Sequence, residues 1–169
     1  MEMKVKGRVW KFQDNIDTDV ISPAAYIDLP VNEMKVHALE AVNPKFPSEV
    51  KKGDVVLAGK NFGCGSSRET AAEVLKALGV GCVVAESFGR IFFRNCLAIG
   101  LPILICKGVT EHFEDGDPIE VDIGTAVLTN LATGKCYQAD LLSEEMKTVL
   151  ARGGVVSLLK ELKREMTGS

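Results

Sequence analysis

Asn61-Phe62-Gly63-Cys64-Gly65-Ser66-Ser67-Arg68-Glu69 is the stretch whose reading decides the fold. Two glycines flank a cysteine, two serines follow, then an arginine and a glutamate. Ahead of it, Asp54-Val55-Val56-Leu57-Ala58 is an apolar run of strand length. Behind it, Thr70 to Leu78 carries the spacing of a helix. The segment therefore reads as strand, glycine loop and helix N-terminus. Such a terminus offers backbone N–H groups and the positive end of a dipole to an anion. Ser66, Ser67 and Arg68 would add hydroxyls and a guanidinium, the equipment that holds a carboxylate or phosphate. A second reading stays open: Ser66 with Glu69 fits a capping box, and Ser67 could cap equally well, with no chemistry attached. Gly63 and Gly65 favour the ligand, because they let backbone approach it closely. No Gly-Lys-Ser/Thr follows the glycines, so this is not a P-loop, and the dinucleotide fingerprint is absent too.

Working outward, strand and helix patterns alternate. Met3 to Phe12 alternates apolar and charged residues, as an edge-exposed strand does, and Asp14 to Asp19 is polar and turn-like. Pro23 to Leu29 suits a short turn of helix, Asn32 to Ala41 has roughly helical spacing, and Asn43 to Ser48 is a breaker-rich loop. Gly81 to Ala85 reads as a buried strand, Gly89 to Ala98 as a helix and Leu101 to Cys106 as a strand. That alternation points to a parallel layer. The last third changes character. Pro118 to Asp122, Ala126 to Thr129 and Cys136-Tyr137 read as antiparallel hairpins. Ser143 to Leu150 and Val155 to Met166 read as helices broken at Gly153-Gly154. No linker divides the chain, so one domain over residues 1–169 is expected.

Bulk properties exclude several classes. The 169 residues are 46% hydrophobic and 25% charged, which supports a packed core rather than disorder. A net charge of −3 argues against nucleic acid or an anionic membrane as the default partner. No apolar run reaches membrane-span length, and Met1 to Lys6 lacks a secretion segment, so a cytosolic protein is expected. Five cysteines, Cys64, Cys82, Cys96, Cys106 and Cys136, are odd in number and widely spaced, which argues against a disulfide framework. No two stand two residues apart, so zinc-ribbon and ferredoxin spacings are absent and no metal site is expected here. Cys82, Cys96 and Cys106 read as small buried hydrophobes. Cys64 sits in the loop with no histidine near in sequence and reads as a packing residue. His37 and His112 read as surface or satisfied residues, and Arg90 and Arg94, four apart on one helix, as facing a partner or substrate or, equally, as solvated or snorkelling from the core.

Asn61 to Glu69 resembles the serine-arginine loop of the aconitase superfamily, in its C-terminal swivelling domain. Asp14-Asn15-Ile16-Asp17-Thr18-Asp19-Val20-Ile21-Ser22-Pro23 resembles that domain's opening motif. Ala85-Glu86-Ser87-Phe88-Gly89-Arg90-Ile91-Phe92-Phe93-Arg94-Asn95-Cys96, followed by Gly100-Leu101-Pro102, resembles its strand-to-helix segment. The motifs stand in the family's order, and the length is similar to that of the superfamily's free-standing small subunits. The resemblance implies an α/β fold, a swivelling β/β/α domain with a mixed sheet and flanking helices.

The resemblance also implies chemistry. Enzymes of this type remove and re-add water across a carbon beside a carboxylate, which needs a strong base and a Lewis acid. In the family a 4Fe–4S cluster is the Lewis acid. With no cluster spacing in this chain, a large cluster-bearing partner subunit is expected to hold it. Ser66 matches the family's catalytic serine, acting as an alkoxide. Gly65, Ser67 and Arg68 match residues that bind a substrate carboxylate, for which arginine's planar fork is suited. Asp19 matches an aspartate that assists departure of the hydroxyl, though Asp17, Thr18 and Asp19 also read as a turn and cap. Tyr26, Ile27, Asp28 and Leu29 fall in the family's specificity loop. Many relatives carry arginine where Asp28 stands. Aspartate there would repel a third carboxylate, which favours malates with an apolar substituent, such as isopropylmalate or a methylated malate, over homoaconitate or citrate. Two other readings stay open, a non-enzymatic anion-binding module and a self-sufficient enzyme using Cys64.

Overall fold

The structure, a computed structural model, describes residues 3–168. Its seven strands are β1 (Lys4–Lys11), β2 (Val55–Ala58), β3 (Cys82–Ala85), β4 (Ile103–Ile105), β5 (Pro118–Asp122), β6 (Val127–Asn130) and β7 (Lys135–Gln138). They lie in the order β4-β3-β2-β1-β5-β6-β7. β1, β2, β3 and β4 are mutually parallel, and the pairs β1–β5, β5–β6 and β6–β7 are antiparallel.

β1 is thus the central strand, not the edge strand that its alternation suggests. Val9 to Lys11 pair with β2, while Lys4 to Arg8 pair with β5. Its charged residues mark an open face rather than an open edge, and a period-2 pattern reports faces alone. The joint is clamped by Asp54, which is buried. Its Oδ1 accepts the Arg8 N–H at 3.0 Å, and its Oδ2 accepts Trp10 Nε1–H and the Lys51 N–H, both at 2.9 Å.

The short parallel strands are buried on both faces, which explains their unbroken apolar runs. Val56, Ala58, Val83 and Ala85 face one core, covered by α4 (Glu69–Ala77) and α5 (Arg90–Ile99) through Ala71, Ala72, Val74, Leu75, Phe92 and Cys96. Val55, Leu57, Cys82 and Val84 face a second core shared with Ile119, Val121 and Leu128 of the antiparallel half. That half curls over the parallel one, and the Asp140 N–H donates to Ile105 O at 2.8 Å beyond β7. This is the expected β/β/α layering. Three short helices, α1 (Thr18–Ile21), α2 (Val31–Met34) and α3 (Phe46–Glu49), lie between β1 and β2. α6 (Glu144–Ala151) seats Leu150 in the second core. α7 (Val155–Thr167) buries no residue.

Two expectations need correction. Asn32 to Ala41 is not one helix. After α2 and a 3-10 turn at Lys35–His37, Ala38 turns extended and Leu39 takes φ +58°, so that both are fully buried. Core burial outweighs helix continuation there. The Asn43 to Ser48 loop holds α3, begun by Pro47 in its first turn. Its Phe46 stands edge-on to Trp10 and Phe12, at ring-centroid separations of 5.4 and 5.6 Å.

Asp54→Ala leaves three N–H donors without their acceptor at the joint of the sheet. It is expected to lower unfolding free energy by about 3 kcal/mol in a urea titration. Asp54→Asn, which keeps an acceptor, should lose less. An unchanged midpoint in Asp54→Ala would remove the clamp from the account.

Candidate active site

The carboxyl ends of β1, β2 and β3 lie on one edge of the parallel layer, and each of the three motifs leaves from one of them. Open α/β sheets place ligands at that edge. The glycine loop is held between the other two motifs by backbone bonds. On one side the Gly63 N–H donates to Ile16 O at 2.7 Å and the Thr18 N–H to Cys64 O at 2.9 Å. On the other the Phe62 N–H donates to Ser87 O at 3.1 Å and the Gly89 N–H to Phe62 O at 2.9 Å. Two glycines are required by contact. A Cβ on Gly63, at φ +80°, would lie 2.2 Å from Phe92 Cγ, and one on Gly89 would lie 2.5 Å from Gly63 O.

Neither serine caps the helix. The N-cap of α4 is Arg68, with no side-chain capping bond, so the capping-box alternative fails. Ser66 Oγ instead receives Arg68 Nε–H at 3.2 Å and shares a 3.2 Å hydrogen bond with Thr18 Oγ1. Thr18 Oγ1 also donates to Ser66 O at 3.0 Å. Arg68 Nη1 reaches Ser22 O at 3.3 Å and pairs with Asp19 Oδ1 at 3.1 Å. Asp19 Oδ1 in turn accepts the Ala24 N–H at 2.9 Å, and Ser22 Oγ donates to Thr70 Oγ1 at 3.0 Å. Asp17, not Asp19, caps α1, accepting the Val20 N–H at 2.9 Å. That leaves the Asp19 side chain 59% exposed, against 24% for Arg68. A pair so exposed contributes about 0–1 kcal/mol and exchanges readily for another anion.

The structure therefore brings Asp19, Ser66 and Arg68 into one contact network, with Gly65 and Ser67 exposed beside it. The segment Tyr26, Ile27, Asp28 and Leu29 follows from the Asp19 bond to Ala24. Tyr26 stacks on His37 at 3.6 Å, while Ile27, Asp28 and Leu29 are exposed. Asp28 does not cap α2, whose N-cap is Pro30. Reading the residues singly missed Thr18, Ser22 and Thr70. Thr18 and Ser22 stand in the quoted opening motif, and their four-residue spacing across α1 was the available signal.

His37 pairs with Glu40 at 3.1 Å and His112 stacks on Tyr137 at 4.2 Å, so both histidines are engaged away from Cys64. Cys96 lies in the first core, and Cys82 and Cys106 in the second. Burial pushes all three thiols up from their ordinary range. Among the described residues, no three His, Cys, Asp or Glu side chains come together as a metal site. The donor set does not fit an iron–sulfur cluster. No helix of the described residues is long and apolar enough to cross a membrane.

Comparison with known proteins defines the class: residues 14–107 match the family model of the aconitase C-terminal domain, and the chain belongs to that family. Similar proteins are small subunits. One is the 3-isopropylmalate dehydratase small subunit of Clostridioides difficile, 48% identical over 94% of this chain and 98% of its own. Another is the isopropylmalate/citramalate isomerase small subunit of Methanocaldococcus jannaschii, 46% identical over 95% of this chain and 96% of its own. A crystal structure described as 3-isopropylmalate dehydratase from Methanocaldococcus jannaschii superposes with a TM-score of 0.92 at 37% identity, covering 98% of each chain.

Gly63→Ala is expected to destabilise the fold by more than about 2 kcal/mol, because it combines a left-handed backbone with a clash against Phe92. Thermal unfolding reads it. A parent-like melting temperature would show that the loop can move off Phe92.

Proposed function

We propose that this chain is the small subunit of a hydro-lyase that interconverts 2-isopropylmalate and 3-isopropylmalate by dehydration and rehydration, a step of leucine biosynthesis. The observation that carries the reading is the junction of Ser66, Arg68 and Asp19 at the carboxyl edge of the sheet, in a chain similar along its length to such subunits. The 169 residues act as one swivelling domain in the cytoplasm. The cluster that serves this superfamily belongs to the large partner subunit, since the described residues of this chain offer no ligand set for it.

The residues divide the work. Arg68, with the hydroxyl of Ser67 and the backbone of Gly65 at the start of α4, grips the substrate carboxylate. Ser66 Oγ removes the proton from the neighbouring carbon. Serine is a very weak acid, and a guanidinium 3.2 Å away together with a helix N-terminus lowers the cost of its alkoxide. Asp19 serves the departing hydroxyl. Its exposed pair with Arg68 holds both side chains in place until substrate and partner replace it. A binding module needs no hydroxyl set against its guanidinium, which favours the enzyme. The relative whose name adds citramalate makes a methyl-substituted malate the second reading.

Co-expression with a large cluster-bearing subunit, followed by hydration and dehydration assays on a panel of substituted malates, tests the assignment. Ser66→Ala should abolish turnover while leaving assembly intact, and near-parental rates would remove its role as base. Arg68→Lys replaces a fork with a point charge, and KM should rise by roughly tenfold to a hundredfold, the worth of one charged hydrogen bond.

Asp28→Arg tests the specificity loop separately. In the assembled enzyme it should move the ratio of specificity constants from isopropylmalate toward a homocitrate-type acid, because a repelling charge becomes an attracting one. An unchanged ratio would take Asp28 out of substrate recognition.

A further inference from the structure

Thr18 carries a proton-counting problem that the reading above leaves unused. Its side chain is 2% exposed and its Oγ1 touches two atoms of one residue, Ser66 O at 3.0 Å and Ser66 Oγ at 3.2 Å. A threonine hydroxyl has one proton, and a carbonyl oxygen cannot donate. With Ser66 neutral, only one pattern satisfies every atom. Thr18 Oγ1–H donates to Ser66 O, and Ser66 Oγ–H donates to Thr18 Oγ1. Arg68 Nε–H then donates to Ser66 Oγ.

Once solvent water has taken the Ser66 proton and Ser66 Oγ is an alkoxide, that pattern cannot persist. Ser66 Oγ has no proton left to give, and Thr18 Oγ1 would face it with lone pairs. Rotation about the Thr18 Cβ–Oγ1 bond moves the Thr18 proton from Ser66 O to Ser66 Oγ, giving up the hydrogen bond to that one carbonyl. A neutral hydrogen bond is exchanged for one to an anion, which is about twice as strong. Thr18 cannot drift away, because its own N–H is fixed to Cys64 O at 2.9 Å and Asp17 pairs with Cys64 across a parallel bridge.

We propose that Thr18 is the positioning residue of the base, a hydroxyl switch that orients Ser66 Oγ when neutral and donates to it when ionised. The proposal rests on Ser66 being the base. When Ser66 Oγ takes the proton from the substrate carbon, the C–H bond breaks and the O–H bond forms. The electron pair stays on the carbon, and Thr18 turns back to Ser66 O. The charged groups near the switch are few. Arg68 donates to Ser66, Asp19 is paired to Arg68, Asp17 is turned to the Val20 N–H, and Glu69 is exposed in the first turn of α4. None of them can replace a donor at the position of Thr18.

The test is made in the assembled two-subunit enzyme with isopropylmalate, recording kcat, KM and the pH profile of kcat. Thr18→Val keeps the shape and removes the donor. It is expected to lower kcat about a hundredfold, the usual cost of one oxyanion donor. KM should stay within a few-fold, and the ascending limb of the profile, where Ser66 must lose its proton, should move to higher pH. Thr18→Ser, which keeps the hydroxyl, should restore kcat and the limb together. A merely structural threonine would leave the limb in place. Unchanged kcat and limb in Thr18→Val, with Ser66→Ala inactive, overturn the switch and leave Ser66 standing. Retained turnover in Ser66→Ala overturns both. If Thr18→Val fails to assemble, Thr18→Ser and Thr18→Cys decide. A parental limb in Thr18→Cys, whose thiol is a weak donor, overturns the switch, and a shifted limb supports it.

Discussion

The double pairing of β1 is the constraint on which everything else hangs. One strand is parallel to β2 at Val9 to Lys11 and antiparallel to β5 at Lys4 to Arg8. It is the only strand through which the two halves of the sheet are joined among the described residues. Asp54 sits at this joint with both carboxylate oxygens filled, by Arg8, Trp10 and Lys51. A buried carboxylate persists because each oxygen is met by at least one N–H. It ties the residue before β2 to both sides of the switch in β1. With that register set, the second core can form, because the curl lays Ile119, Val121 and Leu128 against Val55, Leu57 and Val84.

The same register builds the site. β2 and β3 are four residues each, so a shift of one residue would exchange their two cores and carry the loops with it. Parallel alignment delivers the segments after β1, β2 and β3 to a common edge. There the loop is fixed by backbone bonds to both neighbours, to which Asn61 and Arg68 add side-chain bonds to Asn15 and Ser22. The side chains of Ser66, Thr18, Arg68 and Asp19 bond one another. Glycine is required at 63 by the Phe92 ring and at 89 by the backbone of Gly63 and Cys64, where the loop and the third motif meet.

Much of this was legible in the residues. The apolar runs of β2 and β3, the helix after Arg68 and the hairpins of the last third all follow from period and length. What failed shares a cause. The central place of β1, the extended turn at Ala38 and Leu39, and the helix at Phe46 are each decided by partners distant in sequence. Alternation in β1 describes its faces and is silent on its edges. In the site, the resemblance pointed to Ser66, Arg68 and Asp19, whose residue types announce chemistry. Thr18 and Ser22 were passed over because a threonine or serine in a turn has a local explanation. That explanation belongs here to Asp17, whose carboxylate takes the capping bond and frees its neighbours.

Capping by Asp17 decides more than the ends of α1. Had Asp19 been the cap, its carboxylate would lie against Val20 and its own turn, and Arg68 would have no anion to hold it. With Asp17 in that place, Asp19 projects from the first turn toward Arg68 and remains 59% exposed. The resulting pair is strong enough to order two side chains and weak enough to yield, since solvent screens it. In the proposed function, a substrate carboxylate gripped by the arginine fork and sealed from water by a partner subunit would meet no such screening and would displace it. The cluster is therefore preformed without being closed. It holds its groups at 3.0–3.3 Å from one another.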